Sequence, residues 1–262
     1  GDIDIIVASE GGNKAVLFTN NGAADPSFSA SDVWTGSDKI WALDVVDLDS
    51  DGDLDVLAAL HGADQIRFFQ NNGSGNFANN HNVGSSGDWR AVHSGDIDGD
   101  GDIDFAAVGG NDGDNNRRVV WYENDGLENF TSHTIISDSR HAVIAIDING
   151  DSYIDVVTSI QYGGIDIQWN DGLYNFTSYS INNTDDVRTI YATDFDGDGD
   201  IDILSGTRGP GGGGPGDIKW YENKKDYQNI RSESTKVKGE KPNENFHWYA
   251  TEIKMPIYKN QA

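Results

Sequence analysis

Aspartate or a near substitute stands at every second position in four stretches of this chain. They are Asp47, Asp49, Asp51, Asp53 and Asp55; Asp96, Asp98, Asp100, Asp102 and Asp104; Asp147, Asn149, Asp151, Tyr153 and Asp155; and Asp194, Asp196, Asp198, Asp200 and Asp202. Two like charges about 4 Å apart repel by roughly 4 kcal/mol near a protein surface. Carboxylates at this density therefore call for a hard cation held by oxygen, and Ca2+ is the cation that takes many oxygen ligands in a flexible loop.

The spacing matches the opening half of an EF-hand loop. Side-chain oxygens fall at positions 1, 3 and 5, a backbone carbonyl at 7, and glycine at 6 in three of the four loops (Gly52, Gly101 and Gly199). Each loop closes at position 9, on Asp55, Asp104, Asp155 or Asp202, with no glutamate at position 12. Each then runs into an apolar stretch such as Val56-Leu57 or Val156-Val157, not into an amphipathic helix. The ladders read as calcium loops inside β-hairpins. A solvated acidic turn is the alternative, but it would not recur four times in one register. The third ladder carries Asn149, Ser152 and Tyr153 where the others have acids and glycine, so its site is expected to be weaker.

The elements that must position these loops follow from their period. The first aspartates, at 47, 96, 147 and 194, are separated by steps of 49, 51 and 47, a spacing that fits a propeller blade or a solenoid. One repeat reads as four short strands: Arg90 to Gly95, Phe105 to Gly110, Val119 to Asn124 and Phe130 to Ile136. Asn71-Asn72-Gly73, Asn124-Asp125-Gly126 and Asn170-Asp171-Gly172 supply residues that tolerate positive φ in tight turns. Near the start, Gly1 to Val7 repeats the second half of a calcium loop, with Asp2 and Asp4 as its remnant; Tyr249-Ala250-Thr251-Glu252 echoes Tyr191-Ala192-Thr193-Asp194. The expected fold is all-β: a propeller of five four-stranded blades, with the C-terminal strand completing the first blade in cis or in a neighbouring subunit. The second arrangement would propagate head to tail into a filament. Residues 1–223 hold the repeats, 224–245 a basic insertion, and 246–262 the closing strand and tail. A chain that opens inside a motif is expected to be a processed or truncated piece.

The net charge of −26, from 44 acidic and 18 basic side chains, makes nucleic acid an unsuitable partner. Eighteen of those acids lie in the ladders. No apolar run is long enough to insert in a membrane, and with no cysteine the fold cannot rest on disulfides. Loops this rich in carboxylate suit the millimolar calcium outside cells, so an extracellular or cell-surface location is expected.

Outside the ladders, aligned inner strands place Trp41, Arg90, His141 and Arg188 six residues before the first loop aspartate. This ring can stack on a sugar or bind an anion at a channel mouth, or it can be an ordinary polar strand end. Asp44 and His93 form the single pair with a catalytic look, and no serine or cysteine nucleophile motif accompanies them, so no enzyme is expected. Trp121 and Trp220 read as core, whereas Trp89 and Trp169 read as better candidates for exposure. Asn72, Asn129, Asn175 and Asn182 open N-glycosylation sequons and are candidate glycan sites on a decorated surface; two of them fall within a repeated Asn-Phe-Thr signature, for which chance is the competing reading.

The four ladders, together with Trp121-Tyr122-Glu123-Asn124-Asp125-Gly126 and Trp220-Tyr221-Glu222-Asn223, resemble the FG-GAP/VCBS repeat family, whose calcium-loop repeats are related to the integrin α-subunit propeller. The resemblance covers nearly all of residues 1–223. It implies that positions 1, 3, 5 and 9 of each loop, with the carbonyl of position 7, are calcium ligands. Literal Phe-Gly and Gly-Ala-Pro signatures are absent, which places the chain nearer the VCBS branch. Such propellers resemble adhesins, lectins and surface scaffolds alike. A non-catalytic structural or adhesion module, partnered by itself or by other surface proteins, is the leading expectation; a carbohydrate-binding lectin is the alternative and a glycan-active enzyme the third.

Overall fold

The computed structural model describes residues 2–9, 11–85, 87–110, 117–160, 163–182, 185–209, 216–225 and 246–253. The basic insertion, from residue 226, and the tail after 253 lie outside them, as does most of the glycine run 209–216.

Five antiparallel sheets follow one another along the chain. The first holds β1 (Ile5–Ser9), β2 (Lys14–Asn20) and β3 (Phe28–Thr35). The second holds β4 (Lys39–Val46), β5 (Asp55–His61), β6 (Gln65–Gln70) and β7 (Asn79–Ser85). The third is built from β8 (Ala91–Gly95), β9 (Asp104–Gly110), β10 (Arg117–Asn124) and β11 (Phe130–Ile136). The fourth comprises β12 (Arg140–Ile146), β13 (Asp155–Ile160), β14 (Gly164–Asn170) and β15 (Phe176–Asn182). The fifth comprises β16 (Val187–Thr193), β17 (Asp202–Thr207), β18 (Ile218–Lys225) and β19 (Phe246–Ile253). Strand order within each sheet is sequential, as expected of blades, and no helix occurs among the described residues.

One expectation is corrected. The strand at 246–253 does not complete the first blade: it pairs with β18, from Ile218↔Ile253 to Lys225↔Phe246, as the outer strand of the fifth sheet. Among the described residues the first sheet has three strands. The echo of Tyr191 to Asp194 pointed to an inner strand, but β18 carries a free outer edge next to it in sequence, and consecutive antiparallel strands pair by preference.

The hydrophobic core lies between blades. β5 reads Val56-Leu57-Ala58-Ala59-Leu60 without alternation because both of its faces are covered. Val56, Ala58 and Leu60 pack with Ala15, Val33 and Phe77 toward the first blade. Leu57 and Ala59 pack with Trp89, Phe105 and Tyr122 toward the third. The pattern repeats: Val108, Trp121 and Val143 join blades three and four, and Val157, Trp169 and Tyr221 join four and five. Trp89 and Trp169, expected to be exposed, are therefore core residues; Trp89 stands edge-on to Tyr122 at 5.9 Å. Glycine at 109 leaves room for it, since a Cβ there would meet the Trp89 backbone at 2.8 Å.

Candidate metal centres and channel mouth

Each aspartate loop sits between the first and second strands of its blade, and its backbone is wound by its own aspartates. Position 1 caps the turn: Asp96 accepts the N–H of Gly99 at 2.8 Å and of Gly101 at 3.1 Å, Asp194 accepts those of Gly197 and Gly199, and Asp47 accepts that of Gly52. One oxygen of position 3 accepts the N–H of position 5 in all four loops. Position 6 has positive φ in each, +95° at Gly52, +100° at Gly101, +94° at Gly199 and +74° at Ser152. That requirement explains the glycines and makes Ser152 a strained exception.

The closing aspartate is the deepest group. Asp55, Asp104, Asp155 and Asp202 have no exposed surface. Asp104 accepts N–H bonds from Ile97 at 2.8 Å and Asn124 at 2.8 Å; Asp55 accepts from Leu48 at 3.0 Å and Asn71 at 2.8 Å. Burial pushes Asp55 up to about 6 and Asp104 up to about 7, and raises Asp202, with the backbone N–H bonds pulling the other way.

The donor sets fit calcium in three loops. Ligand atoms of Asp47, Asp49 and Asp55 lie within 4.8 Å of one another, as do those of Asp96, Asp98 and Asp104 and those of Asp194, Asp196 and Asp202. Asp47 Oδ1 is buried with no hydrogen-bond donor, as an oxygen reserved for a cation would be. The third ladder fits less well. Asn149 replaces the position-3 carboxylate, its Oδ1 accepts from Asp151 N, and its Nδ2 donates to Asp151 Oδ2 at 2.8 Å, so an amide hydrogen bridges two groups that a cation would bridge in the other loops. The position-5 residues Asp51, Asp100, Asp151 and Asp198 each accept the N–H of position 7 (Asp53, Asp102, Tyr153 and Asp200).

At the other end of the inner strands the structure brings the four mouth residues together. Trp41, His141 and Arg188 fall at register shifts in β4, β12 and β16, and Arg90 lies just before β8 with its N–H on Val108 O at 2.8 Å. Such bulges re-aim a side chain, and counting one extra residue per strand is the sequence signal for them. A cavity of about 410 Å³ is lined by Ala8, Ile40, Trp41, Arg90 and His141. The imidazole of His61 stacks on Trp41 at 3.9 Å, and the Arg90 guanidinium lies 4.5 Å over the same ring. Two flat groups at those distances must take opposite faces, so neither face of Trp41 is left for a sugar ring. Arg90 pairs with Asp88 at 3.1 Å, and Arg188 pairs with Asp186 at 2.9 Å and donates to His141 Nε2 at 3.1 Å.

Asp44 and His93 serve blade contacts: Asp44 accepts from the N–H and hydroxyl of Ser94, both at 2.6 Å, and His93 Nδ1 accepts from Ala145 N at 3.3 Å. The sequon asparagines Asn129 and Asn175 are exposed but donate their amide nitrogens to Asp125 at 2.9 Å and Asp171 at 3.0 Å, closing the hairpin turns. Asn72 is exposed and accepts from Ser74; Asn182 ends β15, and the rest of its sequon lies outside the described residues.

Sequence reasoning missed a second recurring residue. Asn20, Asn71, Asn124, Asn170 and Asn223 each donate their backbone N–H to the closing aspartate of their own blade, at 2.7 to 2.9 Å, and their Nδ2 to the carbonyl before that aspartate, at 3.0 to 3.2 Å. The Asn-Asx-Gly signature had been read as turn chemistry alone.

Sequential antiparallel sheets, four of them four-stranded, with acidic loops at one end define a β-propeller. Four overlapping matches to the FG-GAP-like repeat, over residues 1–58, 47–107, 96–158 and 147–205, show that the chain belongs to the FG-GAP-like repeat family. A solved structure described as "Structure of Dos1 propeller" is similar at 11% identity with a TM-score of 0.53, covering 83% of this chain and 54% of that one. The chain thus spans about half of that propeller chain, and the likeness is one of fold. No curated protein matches the sequence.

Proposed function

We propose that this protein is a calcium-stabilised, non-catalytic propeller module that works outside the cell by contact with other macromolecules. The observation that carries the reading is the buried closing aspartate. A carboxylate without exposed surface, beside two more carboxylates within 4.8 Å, is costly unless a cation joins them. Three loops hold full sites for Ca2+ and the Asp147 to Asp155 loop a weaker one. Family membership supports the extracellular setting in which millimolar calcium would fill such loops.

The contact role draws on the calcium-loop end. Leu54, Leu127, Leu173 and Tyr174 are exposed there, on turns that the loops brace; Gly126, for example, abuts the Asp102 carboxylate. Calcium would hold this apolar-studded face in shape, which suits a structural or adhesion module. Self-assembly by donation of the 246–253 strand loses its support, because that strand is engaged with β18 of its own chain. A lectin is the second reading, favoured by the bulges that aim His141 and Arg188 at the mouth where Arg90 also lies, with hydrogen bonding in place of stacking on Trp41.

The test is a calcium titration by equilibrium dialysis and calorimetry, with adhesion of chain-coated beads to cells as the functional readout. Three tightly held ions, a melting temperature that rises with calcium, and adhesion lost on chelation are expected. An unchanged melt with no bound ion would sink the metal reading, and calcium-bound protein that adheres to nothing would sink the contact role.

A further inference from the structure

We propose that the asparagines at the third-strand ends couple neighbouring calcium loops, so that ions bind cooperatively around the blades. The inference rests on the calcium reading above and adds the regulation of those sites.

The connection is continuous in hydrogen bonds. Asp55 Oδ2 accepts the N–H of Leu48 at 3.0 Å. The carbonyl of Leu48 accepts Asn124 Nδ2 from the next blade at 3.2 Å. Asn124 donates its own N–H to Asp104 at 2.8 Å. A ligand of the second-blade site is thereby tied to a ligand of the third through one peptide segment and one side chain. The link repeats: Asp104 accepts Ile97 N at 2.8 Å, Ile97 O accepts Asn170 Nδ2 at 2.8 Å, and Asn170 N reaches Asp155 at 2.9 Å. Ile148 O then accepts Asn223 Nδ2 at 3.0 Å, and Asn223 N reaches Asp202 at 2.7 Å.

Leu48, Ile97 and Ile148 are buried, so their carbonyls have no solvent to fall back on and the link cannot be loosened at no cost. When an ion draws in Asp55, the Leu48 segment is ordered with it. Asn124 is then held in the position that Asp104 needs, and the second ion binds to a loop already ordered. Asn124 is a positioning residue in this scheme, since it acts on the ion through Asp104.

Asn71 supplies the control. It makes the same bonds to its own blade, N–H to Asp55 and Nδ2 to Leu54 O at 3.0 Å, and among the described residues it donates to no preceding loop's carbonyl. Calcium isotherms would be recorded by calorimetry on the full chain, on Asn124→Ala and on Asn71→Ala. The expected result is a Hill coefficient above 1 in the parent chain and in Asn71→Ala, falling toward 1 in Asn124→Ala with the same number of ions bound. The coupling factor lost should be about 5-fold or more. If Asn124→Ala does not fold, Asn124→Ser, which keeps the backbone N–H to Asp104 but lacks the amide that reaches the Leu48 carbonyl, is read in the same way. Slope arising merely from folding would be shared by Asn71→Ala, so an equal fall in both variants overturns the relay. A coefficient of 1 in the parent chain with three ions bound also overturns it. No bound ion at all overturns the calcium reading instead.

Discussion

Arg140 donates through Nη2 to Asp166 at 2.8 Å with both side chains almost wholly buried, which joins the outer end of β12 to β14 inside the fourth blade. Ser180 also donates to Asp166, and Asp138 takes a second nitrogen of Arg140 at 3.1 Å. Removing one partner leaves the other charge buried and unpaired, at a cost of about 3–5 kcal/mol. Arg140→Met is therefore expected to lower the denaturation midpoint sharply, and Arg140→Met with Asp166→Leu to recover much of the loss. Urea unfolding of the three chains checks it; equal loss in the single and double variants would count against the pair.

Within one loop the aspartates are not equivalent. Asp104 is buried and accepts backbone N–H bonds from Ile97, Asp98 and Asn124, whereas Asp100 is exposed and accepts the N–H of Asp102. Asp104→Ala is expected to cost on the order of 3 kcal/mol even without calcium, since it strands buried donors, and to abolish that loop's ion. Asp100→Ala should weaken calcium while leaving the calcium-free melting temperature nearly unchanged.

The raised aspartates set an unusual pH dependence. Asp55 at about 6 and Asp104 at about 7 hold protons more tightly in the folded chain than in the unfolded one, where aspartate titrates near 3.8. The native state thus binds more protons between about pH 4 and 7, and stability must fall as pH rises through that window. Calcium-free protein is expected to melt higher at pH 5 than at pH 7.5. Saturating calcium needs the carboxylates ionised, so its contribution grows over the same window and the order reverses. Scanning calorimetry at the two pH values, with and without calcium, reads both signs.

Position 6 offers a backbone test. Gly101 has φ +100° with no atom near enough to obstruct a Cβ, so Gly101→Ala pays only for the left-handed conformation, about 1–2 kcal/mol. Ser152 already pays such a cost at φ +74°. Ser152→Gly is expected to stabilise the fourth blade by up to about 1 kcal/mol, and Asn149→Asp added to it should bring that loop's calcium affinity up to the level of the others. Thermal melts and ion counts decide both.

The ladders were legible because alternating acids are a local spacing, and the blades because the period of about fifty residues is carried by those same ladders. Trp89 and Trp169 were misjudged since inter-blade burial depends on which sheet faces which, a non-local fact. The partner of the 246–253 strand was misjudged for a related reason: a four-residue echo of Tyr191 to Asp194 reports local similarity, while the pairing depends on which edge is free. Asn124, Asn170 and Asn223 stood in plain view, but the neighbouring-blade carbonyls that their side chains reach lie more than 70 positions away. His61 over Trp41 was likewise beyond a register count.

The cores between blades have a mechanical consequence. Among the described residues no sheet encloses a core of its own; β5, β9 and β13 are covered because a neighbour stands on each side. Stability is then a nearest-neighbour sum, as in a stack of coins, and unzipping proceeds from whichever blade has one neighbour fewer. Under load or dilute denaturant the second, third and fourth blades should surrender their amide protons last. Cutting the chain between any two of those blades would leave two halves that each expose an apolar face, so the array is indivisible even though it is repetitive.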